Sequence, residues 1–327
     1  MKEQKNILTD IGINSTISNI QYPISNIQYH LENRHLLSLP SGLLFLLFLF
    51  VPVFFLSACV DLGTSSSTTK KYTVSFQTDG GSALPPSVVT GGTTLSQTIT
   101  APTKAASGGT TYYFGDWYTV GAATGHTGKT KYDYTKPVTG SMTLYARWYT
   151  EQPADKAALQ TLITNLGATA DLNHIDVRKI TDMSQVFERN ATFNGDVSGW
   201  DVSGVTNMQL MFSYADKFNQ PIGAWDVSDV TNMQRMFFAA SVFNQPIGDW
   251  NVSDVRNMQL MFSYADEFNQ PIGAWDVSDV INMNQMFFSA RVFDQDISGW
   301  TVSQVTDYTH ILTGSRVSTA HTPPRFR

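Results

Sequence analysis

The chain has 327 residues, enough for two ordinary domains, and its 42% hydrophobic, 15% charged composition is that of a globular protein with sparse surface charge, which excludes a disordered chain. A net charge of −6 argues against the clustered basic face that nucleic-acid binding requires. A single cysteine excludes a disulfide framework or a thiolate zinc site built by this chain alone.

Residues 1–42 are long for the polar start of a signal peptide and carry a tandem heptad, ISNIQYP then ISNIQYH, at 17–30. They read as an over-extended amino terminus. Residues 43–56 (LLFLLFLFVPVFFL) form a 14-residue apolar run broken by Pro52, too short to span a bilayer comfortably and followed at once by small residues. That is the hydrophobic centre of a signal peptide, so residues 1–58 are expected to be removed. The tetrapeptide Leu56-Ser57-Ala58-Cys59 resembles the bacterial lipobox. The resemblance implies that Cys59 becomes the lipid-modified first residue of the mature chain, carrying diacylglycerol and a further acyl group such as palmitate. Several acyl chains exceed what stable anchoring needs, at about 0.8 kcal/mol per buried methylene, so the expected partner is a membrane held through lipid and not crossed. The alternative is a processed signal with an incidental cysteine.

Residues 59–71 contain VDLGTSSSTTK, a polar segment that cannot offset its ordering entropy by burial and reads as a tether. Its root-mean-square span is roughly 18–20 Å. From 72 to 149 the pattern has period two: Tyr72, Val74 and Phe76 alternate with Thr73 and Ser75, Asp79-Gly80-Gly81 supplies a turn, and Leu144, Ala146 and Trp148 alternate again. The segments YTVSFQTDGGS, FGDWYT and KYDYTKPVTGSMTLYARW resemble the Listeria/Bacteroides repeat of internalin-type surface proteins. That resemblance implies a β-grasp-like module used as a stalk or adhesive spacer.

Residues 150–175 form a linker and a capping helix. Pro153 stands near its start, Leu159, Leu162, Ile163 and Leu166 recur at helical spacing, and Gly167 sits where the helix would end. Such a helix would cover the open first coil of the repeats downstream.

Between 176 and 314 the chain repeats every 25 residues. Trp200, Trp225, Trp250, Trp275 and Trp300 keep that spacing, as do Met183, Met208, Met233, Met258 and Met283, and Phe187, Phe212, Phe237, Phe262 and Phe287. A strict period of this length means a solenoid whose units bury their apolar faces only against neighbours. Met233, Met236, Phe237 and Ala240 fall at i, i+3, i+4 and i+7, predicting a two-turn helix capped by Thr231 and Gln234. Trp225 and Val227 against Asp226 and Ser228 predict a short strand with its apolar side inward. One buried indole per coil, about 200 Å² at about 25 cal/mol per Å², contributes at most about 5 kcal/mol and would make a dry tryptophan column.

The phrase WDVSxVTNMxxMFxxAxxFNQPI resembles the 25-residue type of the BspA-like leucine-rich-repeat surface lipoproteins. The resemblance implies surface-exposed adhesins, with no catalytic residue to carry over. The fold class expected is therefore multi-domain: a small, mainly β, β-grasp-like module followed by a leucine-rich-repeat-like α/β solenoid. The last coil is degenerate, with Tyr308, Ile311 and Leu312 in place of Met, Met and Phe, and residues 315–327 read as a disordered tail. Residues 208–230 and 258–280 differ only at Lys217 and Glu267, so the copied unit was two coils.

Few residues suggest chemistry, and no enzyme, cofactor or metal site is expected. ATGHTGKT at 123–130 fits the loosest phosphate-loop pattern but lacks the strand before it and the helix after it. The histidines show no metal spacing and no local triad signature. Asn194, Asn219, Asn244, Asn269 and Asp294 form a column able to hydrogen-bond backbone between coils. Asp201, Asp226, Asn251 and Asp276 would stack on an exposed strand face, as a solvated surface or as a site for cations or a basic ligand. Residues 176–300 hold 16 acidic against 7 basic side chains. The expectation is an envelope lipoprotein, lipid-anchored and surface-exposed, that binds a protein or glycan ligand through the solenoid; the alternative is an architectural protein that self-associates.

Overall fold

A computed structural model describes residues 69–96, 99–119 and 130–327, which lie in one compact unit. The expected signal segment, Leu56, Ser57, Ala58 and Cys59, nearly all of the expected tether, and residues 123–129 of the phosphate-loop-like stretch lie outside the described residues. Among those described, no helix is long and apolar enough to cross a membrane.

The first module is a four-stranded sheet. Its strands are β1 (Lys71–Gln77), β2 (Ser87–Thr90), β3 (Tyr113–Tyr118) and β4 (Met142–Tyr149), in the order β2-β1-β4-β3. β1 and β4 are parallel; the outer pairs are antiparallel, and the β3–β4 register shifts between Phe114 and Trp117. Alternation turns Val74, Leu144 and Ala146 onto one face, where they bury Trp117, Leu95 and Val138. Gly81 is required at a close approach: a Cβ there would lie 2.5 Å from the Trp148 ring.

The opposite face of β4 is also buried, because the repeat region packs on it. Arg147 and Tyr149 are 7% and 2% exposed. The Arg147 guanidinium donates to the Asn173 carbonyl and the Tyr118 hydroxyl. Arg178, held by Asp176, donates to the Phe114 and Gly115 carbonyls. The stretch expected as a linker is consumed in the same contact: Thr150 and Glu151 donate to the His174 carbonyl, and Asp176 donates back to Glu151. Sheet and repeats are therefore continuous, which a freely hinged spacer would not be.

The helix α1 (Lys156–Leu166) forms where its pattern predicts, with Asp155 accepting from the Ala158 N–H and Gly167 ending it at φ 94°. Leu159 and Ile163 close the first coil.

The coils themselves correct the sequence reading. No coil contains the expected helix or strand; each is a chain of turns. Met208, Leu210, Phe212 and Tyr214 donate to the carbonyls of Asn232, Gln234, Met236 and Phe238 in the next coil at 2.8–2.9 Å, and the register recurs along the array. Between these bonds lie i→i+3 turns, such as Met236 N–H to the Met233 carbonyl. Leu210, Tyr214, Arg235, Ala239, Leu260 and Tyr264 take φ of 53° to 60°. A nine-residue helix is marginal alone, and a neighbouring coil that offers a carbonyl to every second amide competes it away. The apolar stripe was still placed correctly, since Met233, Met236, Phe237 and Ala240 are all fully buried: a run of tight turns has nearly the helical period.

The predicted capping box is absent because Thr231 donates to the Thr206 carbonyl and Asn232 accepts the Gln234 N–H. The predicted strand is absent because the Asp226 carboxylate captures the Ser228 N–H and hydroxyl while Trp225 N–H closes a turn on Ile222. Nor is the core one tryptophan column. Phe187, Phe212, Phe237, Phe262 and Phe287 stack at 5.2–5.7 Å, and Phe193 to Phe293 form a second file at 5.9–6.1 Å. The five indoles flank the first file, 3–4% exposed, each donating Nε1–H to a carbonyl of the preceding coil, as Trp225 does to Val197 at 3.1 Å.

The carboxyl-terminal segment is not the disordered tail expected. Phe326 packs on Tyr308, Arg325 donates to the Val305 carbonyl, and Ile297 donates to the His321 carbonyl. The burial available on the last coil outweighs the ordering cost of these residues.

Candidate functional site

The positions singled out for core duty, Trp200, Trp225, Trp250, Trp275, Trp300 and Met208, Met233, Met258, Met283, all lie inside the stack and offer nothing to a ligand. The asparagine column makes inter-coil bonds. Asn194 Oδ1 accepts the Asn219 N–H and the Gln220 side chain, and the pattern repeats through Asn219, Asn244 and Asn269 to Asp294 at 2.9–3.0 Å.

Asp201, Asp226, Asn251 and Asp276 occupy turns in place of a strand face. In each the side-chain oxygen accepts the N–H two residues on, at Ser203, Ser228, Ser253 and Ser278. For exposed Asp276 the serine bonds hold the carboxyl below its usual range. Asp201 differs, with its side chain 11% exposed and Lys131 Nζ of the sheet module 2.9 Å away. Burial works against its ionisation, but hydrogen bonds from Ser203 and Lys131 outweigh that and lower its pKa. Burial likewise opposes the Lys131 charge, and Asp201 and Asp116 outweigh it and raise that pKa. Among the described residues no group of three or more His, Cys, Asp or Glu could hold a metal ion.

Around the Lys131–Asp201 pair, the sheet and the first coils leave a cleft of about 840 Å³, lined by Tyr118, Lys131, Arg147, Trp200, Pro221 and Pro246 among others. On its wall Lys131 and Asp201, and Arg147 through the Asn173 carbonyl, join the two parts.

One further surface stands out, for which the sequence predicts no role. Tyr214, Phe238, Tyr264 and Phe288 run along one edge of four successive coils, each ring edge-on to the next at 5.2, 5.8 and 5.6 Å. Tyr214 and Tyr264 are 44% and 42% exposed. The guanidinium of Arg189 lies 5.9 Å from the Tyr214 ring and that of Arg235 5.5 Å from Phe238. Tyr214 and Tyr264 sit on left-handed backbone, φ 58°. The signal was the two-coil duplication: tyrosine and phenylalanine alternate at adjacent places in the repeat, an offset invisible until turns put both on one edge.

These features define a repeat protein: a small sheet module fused to a stack of hydrogen-bonded coils, with an aromatic edge and a closed core. The family model described as "Mycoplasma protein of unknown function, DUF285" matches residues 157–267 and 224–321, together just over half of the chain, and the chain belongs to that family. The Listeria-Bacteroides repeat domain model matches residues 72–147. Both agree with a repeat protein of the BspA-like kind. Comparison with curated proteins gives no match, and comparison with solved structures gives none.

Proposed function

We propose that this is a lipoprotein of the bacterial cell surface, anchored through Cys59, whose coil stack binds a protein or glycan ligand along the edge formed by Tyr214, Phe238, Tyr264 and Phe288. In this reading the sheet is a β-grasp-like module of the Listeria/Bacteroides type, the stack is the 25-residue BspA-like variant of a leucine-rich-repeat solenoid, and the protein has no catalytic role. The observation that carries it is the row of half-exposed aromatic rings on a backbone too heavily hydrogen-bonded to rearrange. Aromatic side chains with few torsions contribute contact area at low entropic cost and dominate binding surfaces. Repeat families of this kind suggest a surface role.

The test is a Tyr214→Ala/Tyr264→Ala double variant, compared with the parent on arrays of extracellular-matrix proteins and bacterial glycans. Bound signal should fall at least tenfold, about 1.4 kcal/mol or more, with an unchanged thermal midpoint. Equal binding by parent and variant removes the aromatic edge from the proposal. Mass spectrometry of the native protein tests the anchor: an acylated Cys59 at the mature amino terminus is expected, and an unmodified one sinks it.

A further inference from the structure

Every junction between coils follows one rule: four alternate amides of the lower coil donate to four carbonyls of the upper. At the last junction Met283, Gln285, Phe287 and Ser289 donate to Asp307, Thr309, Ile311 and Thr313 at 2.7–2.9 Å. The same register makes Tyr308, His310, Leu312 and Gly314 the donors of the final coil. None of these four amides has an acceptor among the described residues. The carbonyls of Tyr308, His310 and Leu312 accept local turn bonds from Ile311, Thr313 and Ser315, so the edge offers donors with little accompanying acceptor. His310 and Gly314 take φ of 54° and 81°, the left-handed places that each inner coil uses while paired. The row therefore already has the conformation in which its equivalents bind.

Beside it Tyr308, Ile311, Leu312 and Phe326 contribute to the lining of a cavity of about 720 Å³, with Phe326 standing 5.1 Å from Tyr308 as one wall. Peptide dipoles of the four donor columns point the same way through every junction, so their positive ends converge on this face.

We propose that the amide row Tyr308–His310–Leu312–Gly314 is a docking edge for the main chain of a partner polypeptide, laid on the stack as one further coil. A polypeptide fits because it alone supplies carbonyls at regular alternate positions while sending side chains into the adjoining cavity, the arrangement found at every inner junction. A second copy of this chain is disfavoured as the occupant, since its first coil is already covered by α1 through Leu159, Ile163 and the Lys156 contacts with Asp182 and Ser184.

Hydrogen exchange of the full chain, read by mass spectrometry, tests this with the synthetic peptide TNMQRMFFAAS, the sequence of residues 231–241 that fills this register at an inner junction. Amides in 306–314 should exchange at least tenfold more slowly at millimolar peptide, with the rest of the stack unchanged. Thr309→Asp, a substitution at an exposed position, sets a carboxylate against the incoming carbonyls and should remove the slowing while keeping the parent melting point; Leu312→Asp should act in the same direction. Unchanged exchange with peptide, retention of the slowing in Thr309→Asp, or equal slowing by inorganic phosphate would overturn the proposal, the last by reducing the row to a simple anion site.

Discussion

Trp225 is tied down twice, by burial at 4% exposure and by its Nε1–H bond to the Val197 carbonyl. Trp225→Ala should cost about 3–5 kcal/mol through the cavity it leaves, measured by chemical denaturation. Trp225→Phe should cost about 1–3 kcal/mol, chiefly from the volume lost with the indole, since the Val197 carbonyl still accepts the Trp200 N–H. Lys131 makes a prediction of another kind. Asp201 has a depressed pKa, so its share of stability is present above the ordinary carboxylate value and is lost as pH falls through the lower folded one. Lys131 has a raised pKa, so its share is present below the ordinary lysine value and is lost as pH climbs past the higher folded one. Lys131→Gln should therefore lower stability by about 0.5–1 kcal/mol, the modest value of a partly exposed pair. Melting curves across pH should show that difference between roughly pH 4 and 10 and see it close on either side.

The elements show where sequence reasoning carried and where it stopped. Burial was legible residue by residue: the inward places of Met233, Met236, Phe237, Trp225 and Val227 followed from spacing, and α1 followed from its apolar stripe and Gly167. Backbone conformation inside the coils was not, because helix and strand rules assume that a segment settles its hydrogen bonds locally or with a partner of its own kind. Here alternate amides of one segment are claimed by the next coil, 24 residues on in the Met208-to-Asn232 case. The aromatic edge was hidden for the same reason, since no helix or strand puts Tyr214 and Phe238 on a common line. Close coil contact also dictates glycine. A Cβ at Gly248 would lie 2.4 Å from the Pro271 carbonyl oxygen, and Gly223 and Gly273 are equally confined, while Ser198 and Ser298 hold the same place in the outer coils. Gly248→Ala should push two coils apart at a cost of about 1–3 kcal/mol. Gly204→Ala, with nothing within 4 Å of the added carbon, should stay within about 0.5 kcal/mol, and thermal melts of the two variants decide the comparison.

For the whole molecule, the contacts that carry Arg147, Arg178 and Lys131 across the junction make sheet and stack one body. Stability of such an array is approximately a sum over repeats and their interfaces. Deleting residues 208–257 removes two coils and rejoins Asn207 to a methionine in the same phrase. The shortened chain should fold and melt cooperatively at a lower temperature; circular dichroism and size-exclusion chromatography that instead show an unfolded chain would contradict independent coils.

That near-verbatim copying of residues 208–230 at 258–280 also bears on inheritance. Two long, nearly identical stretches in one reading frame invite unequal crossover, and each exchange lengthens or shortens the molecule by a whole number of duplicated pairs without disturbing what remains. Because every such pair brings one tyrosine and one phenylalanine to the outer edge, a lineage could change the length of that aromatic row in steps of two rings by recombination alone, with no new residue having to arise.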